Sequence, residues 1–281
     1  MSTILTDNQK NSLFRLLADD DPSTLTLVKQ RLMDHGESAV PEMEGWLKEV
    51  HGMPAERHLL DVLNRLKHGH FHAEFLEFCA RGTTSNTMNL EDASFLLAST
   101  EYSAVNMERY RKMLDDMAAE VKLQMTREGT PSEIRAISYV LHEKHRFRGN
   151  RDRYYEAENT YLNCVLDRKV GVPITLSLLY LLLGRRLDMR IHGVALPGHF
   201  IVRWQENFYD PFNHGRLLNE AACKQMVEDR GQEFRPEHLN PATPIQVLSR
   251  MLMNLARVYE IEEDRPRLAR VRKYLQALGA L

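Results

Sequence analysis

The chain has 281 residues, 43% of them hydrophobic, and 37 Lys and Arg against 39 Asp and Glu give a formal charge of −2. That length supports a sizeable core, either two packed units or one core with helical additions. No run of Lys or Arg supplies the field that attracts phosphates, so nucleic acid is excluded as an expected partner.

The longest apolar run, ITLSLLYLLL, spans ten residues, which is short for a membrane helix and suits a buried one. No membrane partner is expected. The polar start MSTILTDNQKN predicts no secretory leader. Cys79, Cys164 and Cys223 form neither a CxxC nor a metal spacing, so reduced thiols, a cytoplasmic location and no cofactor are expected.

In chain order, Leu13 to Met33 contains a helix end, an Asp-Pro break and a second helix with Leu25, Val28 and Leu32 at helical spacing. The acidic trio Asp19, Asp20 and Asp21 reads as capping that complements the helix dipole. Val40-Pro41 with MEGWLKEV, then RHLLDVLNRL, then FHAEFLEFCA predict further short helices, a HEAT-like unit over residues 1–86. HGHFH, with His68, His70 and His72, has a spacing ill suited to a metal on a helix and reads as a solvated connector. The stretch RGTTSNTMN (Arg81 to Asn89) favours turns and marks the boundary.

A core over residues 87–232 follows, with helices expected near Leu90 to Ala98, Asn106 to Thr126 and Pro131 to Lys144. In GVPITLSLLYLLLGRRL, Pro173 suits the first helical position, where a missing N–H removes no hydrogen bond and φ is already helical. IHGVALPGHFIVRW and NFYDPF read as strands joined at Gln205, Glu206 and Asn207. With an even loop, Trp204 faces Asn207 or Arg203 faces Phe208, and Asp210 falls opposite Ile201. His199, two residues before Ile201, then shares a face with Asp210 as its diagonal neighbour. Residues 233–281 contain two amphipathic helices broken at Asp264 to Pro266, a tetratricopeptide-like hairpin that must dock on the core to bury its face.

The run FRGN (Phe147 to Asn150), then YYEAENTYLNCVLDRKVGVPITLSLLYLLLGRRLDM, then GVALPGHF and YDPF, resembles the SirB-type transglutaminase-like family of bacteria. The resemblance covers roughly residues 90 to 260 and rests on separated motifs in one order. It implies a helix-rich α+β fold: a transglutaminase-like (papain-like) core with a small antiparallel sheet and a tetratricopeptide-like C-terminal end. In the wider superfamily a Gly-x-Cys opens the nucleophile helix, and His and Asp follow on adjacent strands. The helix dipole and the imidazole acidify the thiol, and the carboxylate orients the imidazole.

Carried over, the Cys position falls on Pro173, the His on His199 and the Asp on Asp210. The signature region adds Asn150, Tyr155, Asn159, Asn163 and Arg168 as binding candidates. Glu156-Ala157 stands where the family has Asp-Pro, Thr160 where it has Ser, and Cys164 is unusual. Proline has no nucleophilic atom, so the implied function is a non-catalytic module for a protein or peptide partner, with His199 and Asp210 a vestigial dyad. The alternative is an amide or ester hydrolase in which that pair activates water or a hydroxyl such as Ser177, with Cys164 a weaker nucleophile.

Overall fold

A computed structural model describes residues 5–19, 21–85, 88–126 and 133–280. Asp20, the residues at 86 and 87 and the expected helix start at Pro131 lie outside them. Backbone packing divides the chain into two compact units: residues up to Glu74 with Ser99–Ala104, and Phe75–Ala98 with everything from Val105 onward.

The first unit is helical. α1 (Asp7–Leu17) is closed by a capping box in which Thr6 accepts from the Gln9 backbone N–H. Asp21 caps α2 (Pro22–Met33) by accepting from Thr24 N–H, with Pro22 in the first turn. α3 (Val40–Glu49) follows, and Met43, Trp46, Leu59 and Leu63 share an apolar core with α2's Leu32.

Where the sequence suggested two short helices with a connector, one helix, α4 (Pro54–Ser85), runs unbroken. Gly69 costs a helix interior only about 1 kcal/mol relative to Ala, and the histidines beside it find partners from within the helix. His68 Nδ1 lies 3.0 Å from the Thr100 carbonyl oxygen and His70 Nδ1 lies 2.6 Å from Glu37 Oε2.

In the second unit, α5 (Leu90–Ser99) and α6 (Met107–Met125) precede α7 (Glu133–Ser138), which continues as a π-helical turn over Tyr139–Lys144. β1 (Arg148–Gly149) and β2 (Val170–Gly171) form a two-residue parallel ladder on either side of α8 (Leu162–Arg168). That ladder fixes the chain entering α9 (Pro173–Arg186), whose fully buried residues include Leu178, Leu179 and Tyr180.

β3 (Ile191–Val194), β4 (Ile201–Trp204), β5 (Asn207–Asp210) and β6 (Arg216–Leu218) make an antiparallel sheet in sequence order. α9 packs against α6, β3 and β4. After α10 (Glu220–Glu228), α11 (Pro244–Ile261) and α12 (Arg265–Ala277) form a hairpin, and α11 also packs against α9. The class is α+β and helix-rich. Among the described residues no helix is long and apolar enough to cross a membrane.

Candidate functional site

Three local devices converge at the N-terminus of α9. The first is its own start: Val172 occupies the N-cap with extended backbone and Pro173 the first turn. The buried Thr175 hydroxyl accepts from Val172 N–H at 3.1 Å and donates to the Asn159 carbonyl at 2.8 Å. Asn159, fully buried, donates from its amide to the carbonyls of Arg153 and Tyr154 at 2.7 and 3.2 Å, and accepts from Asn150 Nδ2 at 3.0 Å. The signature loop is thereby tied to the helix start.

The second device is a turn. In Leu196-Pro197-Gly198-His199 the His199 N–H donates to the Leu196 carbonyl at 3.1 Å, and Gly198 has φ +65°. Proline followed by a positive-φ glycine is the signature of a type II turn. Arg250 on α11 locks it, donating to the carbonyls of Leu196 and His199 at 3.0 and 3.2 Å.

The third is the β4–β5 hairpin, with Trp204 paired to Asn207 and Val202 to Tyr209. One residue further, that register sets Asp210 opposite Ile201. Asp210 also caps a short 3₁₀ turn, accepting from Phe212 N–H at 3.0 Å and Asn213 N–H at 3.3 Å, and from Asn213 Nδ2 at 2.6 Å. The Phe212 ring lies over Gly149, where a Cβ would collide with it.

These devices set His199 Nε2 3.0 Å from Asp210 Oδ2, with the two residues 6% and 1% exposed. The contact is close but misaligned: Nε2 is buried and the carboxylate lies off its N–H direction, so no well-directed hydrogen bond forms. Burial alone would raise the Asp210 carboxyl. The contact and charge of His199 and the bonds from Asn213 outweigh it and hold the group below the usual carboxylate range. Phe212 meets the His199 ring edge-on at 6.1 Å.

A cavity of 430 Å³ opens here, and Pro173, Ile174, His199, Phe212 and Tyr155 are among its walls. With Nε2 turned to Asp210, Nδ1 is the ring nitrogen left for it. Of the other candidates, Ser177 is fully buried and donates to the Phe200 carbonyl at 3.2 Å. Cys164 sits on α8 and is not a wall residue. Arg168 pairs with Glu156, and Asn163 is buried with Oδ1 unpartnered. Only Tyr155 of the five signature residues lines the cavity; Asn159, bonded to Asn150, holds the backbone carbonyl of the wall residue Tyr154. Among the described residues no group of three His, Cys, Asp or Glu could hold a metal ion.

Several wall residues escaped the sequence reading: Tyr154, Arg230, Arg250, Asn254 and Arg257. One signal was present. Arg250, Asn254 and Arg257 follow i, i+4, i+7 spacing on α11, a polar stripe on an otherwise amphipathic helix. Arg230, in the turn after α10, carries no local signal.

A profile of the transglutaminase-like superfamily matches residues 108–253. The chain is 32% identical to a UPF0162 protein of Xylella fastidiosa strain 9a5c over 62% of its length and 66% of that protein's. A second Xylella fastidiosa UPF0162 protein, from strain Temecula1, is 30% identical over 66% of this chain and 69% of its own. Mouse F-box only protein 21 is 33% identical over 52% of this chain but 24% of its own length. The chain thus spans about two thirds of the bacterial relatives and about a quarter of the mouse protein. No solved structure gives a significant match. On the match over 108–253 and the helix, turn and hairpin that build the cleft, the chain belongs to the transglutaminase-like superfamily.

Proposed function

We propose that this chain is a SirB-type member whose transglutaminase-like cleft binds a protein or peptide segment without cleaving it. The observation that carries this reading is Pro173. It stands at the head of α9, on the wall shared with His199, the position on which the resemblance puts the nucleophile, and it offers no ionisable or nucleophilic atom. The substitutes are poorly placed, since Ser177 Oγ is buried on a backbone carbonyl and Cys164 lies off the cavity wall.

His199 and Asp210 then serve as a structural pair. Asp210's remaining contacts are those of a turn cap. The helices before residue 87 fit a HEAT-like unit, and residues 233–281 a tetratricopeptide-like hairpin, both suited to protein contacts. The similar segment within the much longer F-box only protein 21 fits a module carried beside other parts.

The competing reading is a hydrolase in which His199 acts through Nδ1 on a water in the cavity, and the closeness of Asp210 favours it. Turnover of broad amide and ester panels by wild type, His199→Ala and Cys164→Ser separates the two. The binding reading expects background rates from all three. Multiple turnover lost in a folded His199→Ala protein would establish the hydrolase instead.

A further inference from the structure

The cavity beside His199 has a charge its chemistry does not balance. Three guanidinium groups, Arg230, Arg250 and Arg257, reach its wall together with Asn254, and no Asp or Glu does. Arg257 is partly committed, with Nη1 2.8 Å from Glu260 Oε2. Arg250 donates only to neutral backbone carbonyls. Neither Arg230 nor Arg250 has a carboxylate partner among the described residues. Burial, and after it the charge of Arg230, pull Arg250 below the usual guanidinium range, although Tyr154 acts the other way.

A half-buried Arg250 and an exposed Arg230 whose charge acts on it, both without a carboxylate partner among the described residues, form a preorganised anion site. The head of α9 adds to the field: Pro173 and Ile174 line the same wall, and the first N–H groups of this 14-residue helix have no intrahelical acceptor.

We propose that this cavity recognises an oxyanion, and that in the peptide-binding reading on which this rests the bound segment is acidic, a carboxylate lying between Arg230 and Arg250 with its backbone against Tyr154, Tyr155 and Phe212. A carboxylate and a phosphate share this chemistry. The aromatic wall beside the arginines favours a ligand with a body, such as a peptide, over a bare ion.

Arg230 is the residue to test, because it is exposed and carries no structural hydrogen bond from its side chain, whereas Arg250 holds the His199 turn. The full chain is titrated calorimetrically with a pool of Glu- and Asp-containing octapeptides, with the matched Gln and Asn pool, and with inorganic phosphate. Wild type, Arg230→Ala and Arg230→Lys are compared, and circular dichroism checks folding.

The acidic pool is expected to bind at least about tenfold more tightly than the amide pool, and Arg230→Ala to lose that margin while Arg230→Lys keeps part of it. Phosphate should compete in the wild type and fail to do so in Arg230→Ala. Equal binding of both pools, or an acidic preference unchanged in folded Arg230→Ala, would overturn the anion site while leaving peptide binding intact. Phosphate binding that depends on Arg230, with no binding of either pool, would uphold the anion site and overturn the peptide reading.

Discussion

Asp210 shows how one carboxylate can be held by structure alone. Two backbone N–H groups and the Asn213 amide donate to it, and His199 adds a nearby ring nitrogen. Removing it by Asp210→Ala strands those donors and is expected to cost about 1–3 kcal/mol in chemical denaturation. The pH dependence follows from the direction of its shift. Its pKa in the folded chain lies below the ordinary 3.8, so the unfolded state takes up the proton first on acidification. The stabilisation is therefore complete above about pH 4 and is lost as pH falls through the lower, folded value. Asp210→Asn should flatten the acid limb of stability measured from neutral pH downward, and an unchanged limb would contradict the assignment.

The thiols give a second check at this scale. Burial pushes Cys79 up to about 12 and Cys223 to about 11, leaving almost no thiolate at neutral pH. Mass spectrometry after iodoacetamide treatment should find both unmodified in the native protein and modified in denaturant. Rapid native labelling of either would place it in a reactive environment the fold does not show.

At the scale of elements, the head of α9 depends on the Thr175 hydroxyl, which serves Val172 N–H and the Asn159 carbonyl at once. Thr175→Val keeps the shape and removes both bonds, so a loss of about 1–3 kcal/mol is expected from thermal or urea unfolding. A neutral effect would mean that water or backbone movement replaces the hydroxyl.

Elements with strong local chemistry were legible in the sequence. Pro173 set the start of α9 and the Asp264 break separated α11 from α12, whereas the hairpin register was legible only on the condition of an even loop, which the Trp204 to Asn207 pairing meets. α4 was not legible as one helix. Gly69 and the alternating histidines imitate a connector, and what overrides them is their hydrogen bonding to Glu37 and Thr100, distant in sequence. The π-helical continuation of α7 and the two-residue β1–β2 ladder likewise left no periodicity to find.

At the scale of the whole molecule, the contrast lies between a nearly neutral chain and a cationic cavity. Net charge and the absence of basic runs correctly describe composition, yet Arg230, Arg250 and Arg257 reach one wall from a turn and a helix face. Motif order carried the superfamily, because the matched residues 108–253 lie within the second unit. The site's charge required the fold. Any acidic ligand should therefore bind more weakly as salt rises from about 50 mM to about 500 mM, where the screening length shrinks to a few ångströms.

The central claim is that this cleft retains a ligand and does no chemistry on it. An NMR titration of the full chain with the acidic octapeptide pool follows both halves of that claim in one sample, through the His199 ring resonances and the integrity of the peptides. The account predicts that the His199 signals shift to saturation while the peptides remain intact after prolonged incubation. New peptide termini appearing catalytically, and absent with a folded His199→Ala protein, would contradict it.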